Sequence, residues 1–182
     1  FAFWREYTKT KGRPVNIYLD RHSTYKVNHK SLFDDPKVLT QFERAMKDLD
    51  IKIIHAKSPQ AKGRIERLFG TLQDRLIKEL RLEKINTVEE ANQFLKKTFI
   101  PRFNQKFAVI PAKNKNLHKP LTKIDKANLD KTFSVQNTRR VNNDFTIRFK
   151  GQWFQLSEKQ PTLVLRKSKV IIEERLNEEL FI

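Results

Sequence analysis

The sequence SPQAKGRIERLFGTL, residues 58–72, decides the fold of the first half of the chain, because a short basic loop there leads into a strongly periodic helix. Apolar side chains recur every three or four residues along and beyond it, at Ile65, Leu68, Phe69, Leu72, Leu76, Ile77 and Leu80. This spacing predicts a helix that runs to about Leu82 with one buried face. A single carboxylate, Glu66, lies in the first turns of this helix, between the cations Arg64 and Arg67.

Two short apolar runs upstream of this helix, residues 15–19 and 51–55, have the composition of β-strands. Between them, residues 36–49 repeat apolar side chains with helical spacing, and Pro36 suits the first turn of a helix. Strands joined through a helix favour a parallel α/β arrangement, in which ligand sites gather at the carboxyl ends of the strands. Asp20 follows the first strand, and the loop after His55 leads from the second strand to Glu66.

The second half of the chain changes character twice. Thr87 and Glu90 predict the start of a further helix that runs to about Phe99. Residues 101–130 contain three prolines among lysines, which is typical of an extended basic linker. From Phe133 onward, short alternating runs at 145–149, 152–156, 162–165, 169–172 and 180–182 predict the strands of a small β-barrel.

The composition indicates a polyanionic partner. The 182 residues include 38 Lys or Arg against 21 Asp or Glu, a net charge of +17. Such an excess most often indicates nucleic acid, although other very basic proteins share it. The absence of Cys excludes disulfides, thiolate metal sites and Cys nucleophiles. No apolar run approaches the roughly 18 residues of a membrane span, and we expect the chain, which opens at Phe1 inside a helical pattern, to be a piece of a longer protein.

Asp20 and Glu66 are the residues most able to carry chemistry. If the two strands pair side by side, these carboxylates meet at one sheet end, although 45 residues separate them. Two carboxylates, with no Cys and few His, suit a hard cation such as Mg²⁺ or Mn²⁺. From the residues alone other interpretations stay open, since Asp20 can be a cap or turn residue and Glu66 a surface salt-bridge partner.

The runs VNIYLD, residues 15–20, and SPQAKGRIER, residues 58–67, resemble the segments that carry the second and third acids of the DDE transposase and retroviral-type integrase superfamily. The likeness is closest to bacterial insertion-sequence transposases of the integrase-core type, in particular the ISNCY group, and it continues through FNQKF, residues 103–107. His22 departs from the pattern, because many integrases have a glycine two residues after the second acid. By this resemblance we expect the strand that carries the family's first acid to lie before Phe1.

The resemblance implies an α/β fold, a ribonuclease-H-like integrase core truncated at its N-terminal side, over residues 1–100. The basic linker of residues 101–130 and a small all-β SH3-like barrel at 131–182 would follow. It implies DNA transposition by a polynucleotidyl transferase, which hydrolyses a phosphodiester at the transposon end and joins the freed 3′-hydroxyl to target DNA. Asp20 and Glu66 would be catalytic ligands of a two-metal Mg²⁺ or Mn²⁺ site that needs a third acid.

The resemblance also implies partners and a location: transposon ends and target DNA, a homo-oligomer on DNA, no membrane, and the nucleoid of a bacterial cytoplasm. With only two of the three acids, this chain is expected to bind DNA without cutting or joining it. Two alternatives belong to other classes of protein. One is a ribonuclease-H-like nuclease that cuts but does not join, and the other is a non-catalytic DNA-binding protein whose acids only form salt bridges.

We expect DNA contacts from polar and basic side chains in two regions. Those near Glu66 would hold the DNA backbone over the metal site, and they are Lys57, Gln60, Lys62, Arg64 and Arg67. Those of the β-rich end are Arg139, Arg140, Arg148, Lys150, Arg166, Lys167 and Lys169. Trp153 and Phe154 alternate along one predicted strand, so at least one of them should lie in the core.

Overall fold

The structure is a computed structural model that describes residues 1–27, 39–58, 60, 63–113 and 115–182. These residues form two compact units, which we describe separately. The first unit combines Phe1–His55 with Leu117–Ile182, and the second is Ala56–Asn116. Within the described ranges, no helix is both long and apolar enough to cross a bilayer.

The first unit begins with a strand–helix–strand arrangement. Helix α1 (Ala2–Lys11) is followed by strands β1 (Arg13–Pro14) and β2 (Asn16–Leu19), helix α2 (Gln41–Asp48) and strand β3 (Lys52–His55). Strands β2 and β3 pair in parallel, with Asn16 opposite Lys52 and Leu19 opposite His55. The predicted parallel pairing of these two strands is therefore confirmed.

Helix α2 begins later than its apolar spacing predicts. Its N-cap is Thr40, whose hydroxyl accepts a hydrogen bond from the Glu43 amide at 3.0 Å, while the Glu43 carboxylate accepts one from the Thr40 amide at 2.9 Å. This reciprocal capping box satisfies two backbone donors at the helix start and so fixes where the helix begins. The predicted start at Pro36 lies outside the described residues.

The core of this arrangement includes side chains from distant parts of the chain. Its buried members are Ile17, Phe42, Ala45, Met46, Leu49, Ile51, Leu129 and Phe133. Leu129 belongs to helix α7 (Leu129–Thr132), which follows helix α6 (Lys123–Ala127), and Phe133 comes directly after α7. The segment before the β-rich end therefore completes the core that the first 55 residues begin.

Two side chains of α2 fasten this later segment by hydrogen bonds. The Gln41 amide donates to the carbonyl oxygen of Gln136 at 2.7 Å and accepts from its N–H at 3.0 Å, so it pairs with the backbone as a neighbouring strand would. The Arg44 guanidinium donates to the carbonyl oxygens of Thr132 at 3.0 Å and Ser134 at 2.7 Å. Burial lowers the pKa of Arg44, an effect that nearby Asp48 partly offsets.

Strand β1 pairs antiparallel with strand β4 (His118–Lys119), and Gly12 makes the approach possible. Gly12 has φ +83°, and a Cβ atom there would lie 2.6 Å from the carbonyl oxygen of Lys119.

We expect Gly12→Ala to lower the free energy of unfolding by about 1–3 kcal/mol through backbone strain alone, measured by urea denaturation. Gly70→Ala is the matched control, because a Cβ there meets nothing within 4 Å in the middle of a helix. It should be neutral or stabilising by up to about 1 kcal/mol. Equal effects of the two substitutions would contradict the strain.

The second unit is helical. Helix α3 (Gly63–Leu82) is followed by α4 (Val88–Phe94), a π-helical segment (Leu95–Phe99) and α5 (Ile100–Phe107), which form one continuous helical stretch. The sequence predicted an extended linker from Pro101, but the helix continues through this residue. The wide π-helical segment lies directly before the proline, where a missing N–H donor is tolerated.

The prediction that α3 has one buried face is wrong for the residues that the structure describes. None of its residues is buried, and the exposed fractions of Ile65, Leu68, Phe69 and Ile77 are 47%, 39%, 57% and 48%. Leu72, Leu76 and Leu80 are only half-buried. An apolar stripe does not by itself determine what covers it, and here most of the stripe stays exposed.

The β-rich end forms two small sheets. Strands β5 (Val135–Arg140), β8 (Lys169–Glu174) and β9 (Leu180–Phe181) pair in the order β5–β8–β9, all antiparallel. Strands β6 (Thr146–Phe149) and β7 (Gln152–Gln155) form a hairpin around Lys150 and Gly151, whose φ angles of +48° and +80° suit a tight hairpin turn. The buried side chains Val141, Ile147, Phe149 and Ile172 form the core of this end.

One predicted strand of this end is wrong, because residues 162–165 have no regular structure. Val164 packs against the core of the β-rich end, whereas Leu163 and Leu165 are exposed. The apolar run therefore contacts the core through one side chain but pairs with no strand. The remaining strands pair as a three-stranded sheet and a hairpin. The SH3-like barrel therefore stays a prediction.

Candidate carboxylate site and nucleic-acid interface

Asp20 lies at the carboxyl end of β2, directly beside the last pair of the parallel ladder. Its carboxylate accepts a hydrogen bond from the His22 amide at 3.1 Å, which closes a short local turn. The His22 ring is in turn 3.1 Å from the Thr24 hydroxyl. Asp20 is thus a turn residue at the carboxyl end of a strand, the end where parallel sheets form ligand sites, and its role as a metal ligand stays a prediction.

His55 holds the end of β3 against this turn. Its Nδ1 atom lies 3.2 Å from the carbonyl oxygen of Asp20, and its Nε2 atom lies 4.0 Å from the Glu43 carboxylate. The ring therefore contacts the Asp20 backbone and the start of α2. This contact supports a structural role for His55 at the edge of the sheet.

Glu66 lies in the first turn of α3 and is exposed. Within the described residues it forms neither an ion pair nor a hydrogen bond. The nearby Arg67 donates through Nε to the carbonyl oxygen of Gly63 at 3.1 Å, not to Glu66. The interpretation of Glu66 as a surface salt-bridge partner therefore gains no support from the part of the chain that the structure describes.

The other predicted residues of this region that the structure describes are exposed. Lys57 and Gln60 lie in the loop before α3, and Arg64 lies beside Glu66 in its first turn. Lys62 lies outside the described residues. Asp20 belongs to the first unit and Glu66 to the second. Among described side chains, no three of His, Asp or Glu gather closely enough to hold a metal ion.

The cations predicted at the β-rich end are largely unneutralised. Of the seven, only Lys150 forms an ion pair within the described chain, with Glu174. Arg140 and Lys169 lie directly opposite each other on β5 and β8, and both are exposed. Like charges directly opposite on neighbouring strands are destabilising, and no acid of the described chain relieves this pair.

Further basic residues, in α4, α5 and the segment that follows them, are absent from the predicted set. Residues 91–124 contain eight Lys or Arg and no Asp or Glu. Four of these cations lie on the helical stretch of α4, the π-helical segment and α5, and all four are exposed: Lys96, Lys97, Arg102 and Lys106. The sequence contains this run of cations without acids, but the prolines within it favour a linker over helices.

Comparison with known proteins relates this chain to transposases. No model of a known protein family matches it, and no solved structure does. It is 41% identical over 156 residues to a putative transposase, y4bF, of Sinorhizobium fredii (strain NBRC 101917 / NGR234). This match covers 86% of the present chain and 34% of the relative. It is 42% identical over 98 residues to the transposase for insertion sequence IS1202 of Streptococcus pneumoniae, covering 53% of this chain and 21% of that protein. The chain thus spans about a third or less of these relatives, and over most of its own length it is similar to proteins named as transposases.

Proposed function

We propose that this chain is part of a DDE-type DNA transposase, with a ribonuclease-H-like core followed by an SH3-like DNA-binding barrel. The observation that carries the proposal is the 41% identity over 156 residues to the protein named putative transposase y4bF. The parallel β2–β3 pair supports it, because Asp20 follows β2 and the chain after β3 leads to Glu66. The intact protein would move DNA by hydrolysis and strand transfer, acting as a homo-oligomer on transposon ends and target.

The donor chemistry of the two acids fits a hard divalent cation. Asp20 and Glu66 offer carboxylate oxygens, and the sequence contains no Cys to favour a softer metal. We propose that both ligate Mg²⁺ or Mn²⁺ in the intact protein, together with a third acid from outside this set. When bound, such ions activate the attacking oxygen and stabilise the leaving oxygen of a phosphodiester. Lys57, Lys62, Arg64 and Arg67 would hold the DNA backbone nearby.

The unneutralised cations support the proposal that the partner is DNA. A Lys or Arg that already pairs with a carboxylate gains little from a phosphate, whereas an unpaired one releases counterions from DNA when it binds. The opposed Arg140 and Lys169 carry a repulsion that a bound phosphate would relieve. We therefore propose these two residues as phosphate contacts.

Substitution of this pair gives a quantitative test. We expect Arg140→Gln with Lys169→Gln to weaken binding to duplex DNA and to reduce the salt slope, log K against log salt, by about 2, since each lost phosphate contact removes about 0.9. Fluorescence anisotropy with a labelled duplex at several salt concentrations measures this slope.

The matched control is Lys78→Gln with Lys131→Gln, which changes the net charge equally. Both of these lysines already pair with acids, Asp74 and Glu173. Its slope should stay close to that of the unmodified chain. Equal slopes for the two double variants would show that only net charge attracts DNA, and the proposed contacts would be wrong.

A further inference from the structure

The β6–β7 hairpin has one face in the core and one face in solvent. Ile147 and Phe149 are buried, and Phe154 packs against the same core. Because side chains alternate along a strand, the opposite face consists of two cross-strand pairs, Thr146 with Gln155 and Arg148 with Trp153. We call these four residues the outer face of the hairpin.

Trp153 is the one large apolar side chain on the outer face, and 61% of its surface is exposed. The Cζ atom of its partner Arg148 lies 5.6 Å from the centroid of the indole ring, which is a cation–π contact. Arg148 forms no ion pair with any acid of the described ranges. The pair therefore presents an accessible flat aromatic ring beside an unneutralised guanidinium.

We infer that Arg148 and Trp153 form a stacking platform for an unpaired base of DNA, an inference that rests on the proposed DNA binding. Nucleic-acid bases stack on exposed aromatic rings and on guanidinium planes, and the arginine charge also attracts the adjacent phosphate. Asp144 is the acid nearest to Arg148 in the sequence. Its carboxylate accepts hydrogen bonds from the Thr146 hydroxyl at 2.7 Å and the Thr146 amide at 3.1 Å, and it does not neutralise Arg148.

The surroundings of Trp153 favour a base over a protein partner. Protein interfaces bury a contiguous apolar patch with a polar rim. On the outer face, Trp153 stands alone among Thr146, Arg148 and Gln155, which are polar or cationic. A single ring bordered by hydrogen-bonding groups and a cation matches one base with its phosphate.

The chain has two tryptophans, which makes the platform directly observable. In a Trp4→Phe variant, Trp153 is the only source of tryptophan fluorescence. We expect its emission to be quenched when a single-stranded oligo(dT) of about 20 nucleotides binds, because stacking brings a base onto the ring. The converse variant, Trp153→Phe, retains only Trp4, which packs against Phe42 with ring centroids 5.6 Å apart, and its emission should not respond.

Affinity gives an independent measurement. Trp153→Ala should weaken binding of the single-stranded oligonucleotide by about 5- to 150-fold, the range for loss of one stacked base. A duplex of the same length should lose less, because its bases are already stacked on one another. Leu163→Ala is the control, since Leu163 is 87% exposed at the same end of the chain and should leave the affinity unchanged.

The outcomes separate this inference from the proposed function. If labelled DNA binds by anisotropy while Trp153 emission and the affinity of Trp153→Ala are unchanged, the platform is wrong and DNA binding stands. If no oligonucleotide binds, both are overturned. If Trp153 emission instead changes with protein concentration in the absence of DNA, the outer face is an interface between copies of this chain, and the platform is again wrong.

Discussion

Replacing Glu66 by glutamine in the full-length protein is expected to lower strand transfer at least about 100-fold while DNA affinity stays unchanged. Substituting residues that merely support a metal ligand typically costs 10- to 100-fold, so loss of a ligand itself should cost no less. An amide keeps the shape of the side chain but removes the charge that a divalent cation requires. Since Glu66 is exposed and unpaired among described residues, this substitution should not disturb the fold.

The experiment measures joined products from a labelled transposon end, with DNA binding followed separately by anisotropy. Glu79→Gln is the matched control, because Glu79 lies on the same helix about 20 Å further along its axis. Asp20→Asn should behave as Glu66→Gln does. Full activity of both Asp20→Asn and Glu66→Gln would show that these acids hold no catalytic metal. The proposed metal site at these two residues would then be wrong.

The local signals in the sequence predicted most helices and hairpins. Thr87 caps α4, as expected, and equally local residues act where Gly12 ends α1 and where Lys150 with Gly151 turns the β6–β7 hairpin. Each of these features depends on a backbone conformation or hydrogen bond that a few neighbouring residues determine. Features that depend on such short-range interactions can be predicted from a single sequence.

Long-range pairing was not predictable in the same way. The side chain of Gln41 bonds the backbone of Gln136, and Arg44 bonds the carbonyl oxygen of Ser134, across about 90 residues of sequence. A polar residue on an amphipathic helix gives the same sequence pattern whether its side chain faces solvent or bonds a buried carbonyl oxygen. The apolar stripe of α3 shows the converse error, since periodicity predicts a face but not what covers it.

The candidate site was predictable only as chemistry. Asp20 was placed at a strand end from the strand-forming composition of the preceding residues, and the pairing of β2 with β3 agrees. The acid–cation pattern near Glu66 predicted salt bridges as readily as a metal ligand, and only the resemblance favoured the ligand. The exposed Arg148–Trp153 pair needed the strand register, because the sequence could not tell which of Trp153 and Phe154 faces the core.

Phe133→Ala is expected to lower the free energy of unfolding of the first unit by about 3–5 kcal/mol, the cost of deleting a large buried ring. Phe133 is fully buried among side chains of α2, β2 and β3, and its ring meets that of Phe1 edge-on at 5.8 Å. The residue follows α7, so its loss should unfold strands far from it in sequence.

Urea denaturation in a Trp153→Phe background makes this effect specific, because the remaining Trp4 packs against the same core cluster. Phe107→Ala is the control, since Phe107 is 40% exposed in the other unit and should leave the Trp4 transition unchanged. Phe133→Leu should recover most of the loss because leucine refills much of the cavity. A loss below about 1 kcal/mol for Phe133→Ala would mean that the site collapses readily around the missing ring, which a tightly packed core does not do. The expected loss of about 3–5 kcal/mol would instead show that the strand–helix–strand arrangement bearing Asp20 depends for its stability on the chain segment that leads into the β-rich end.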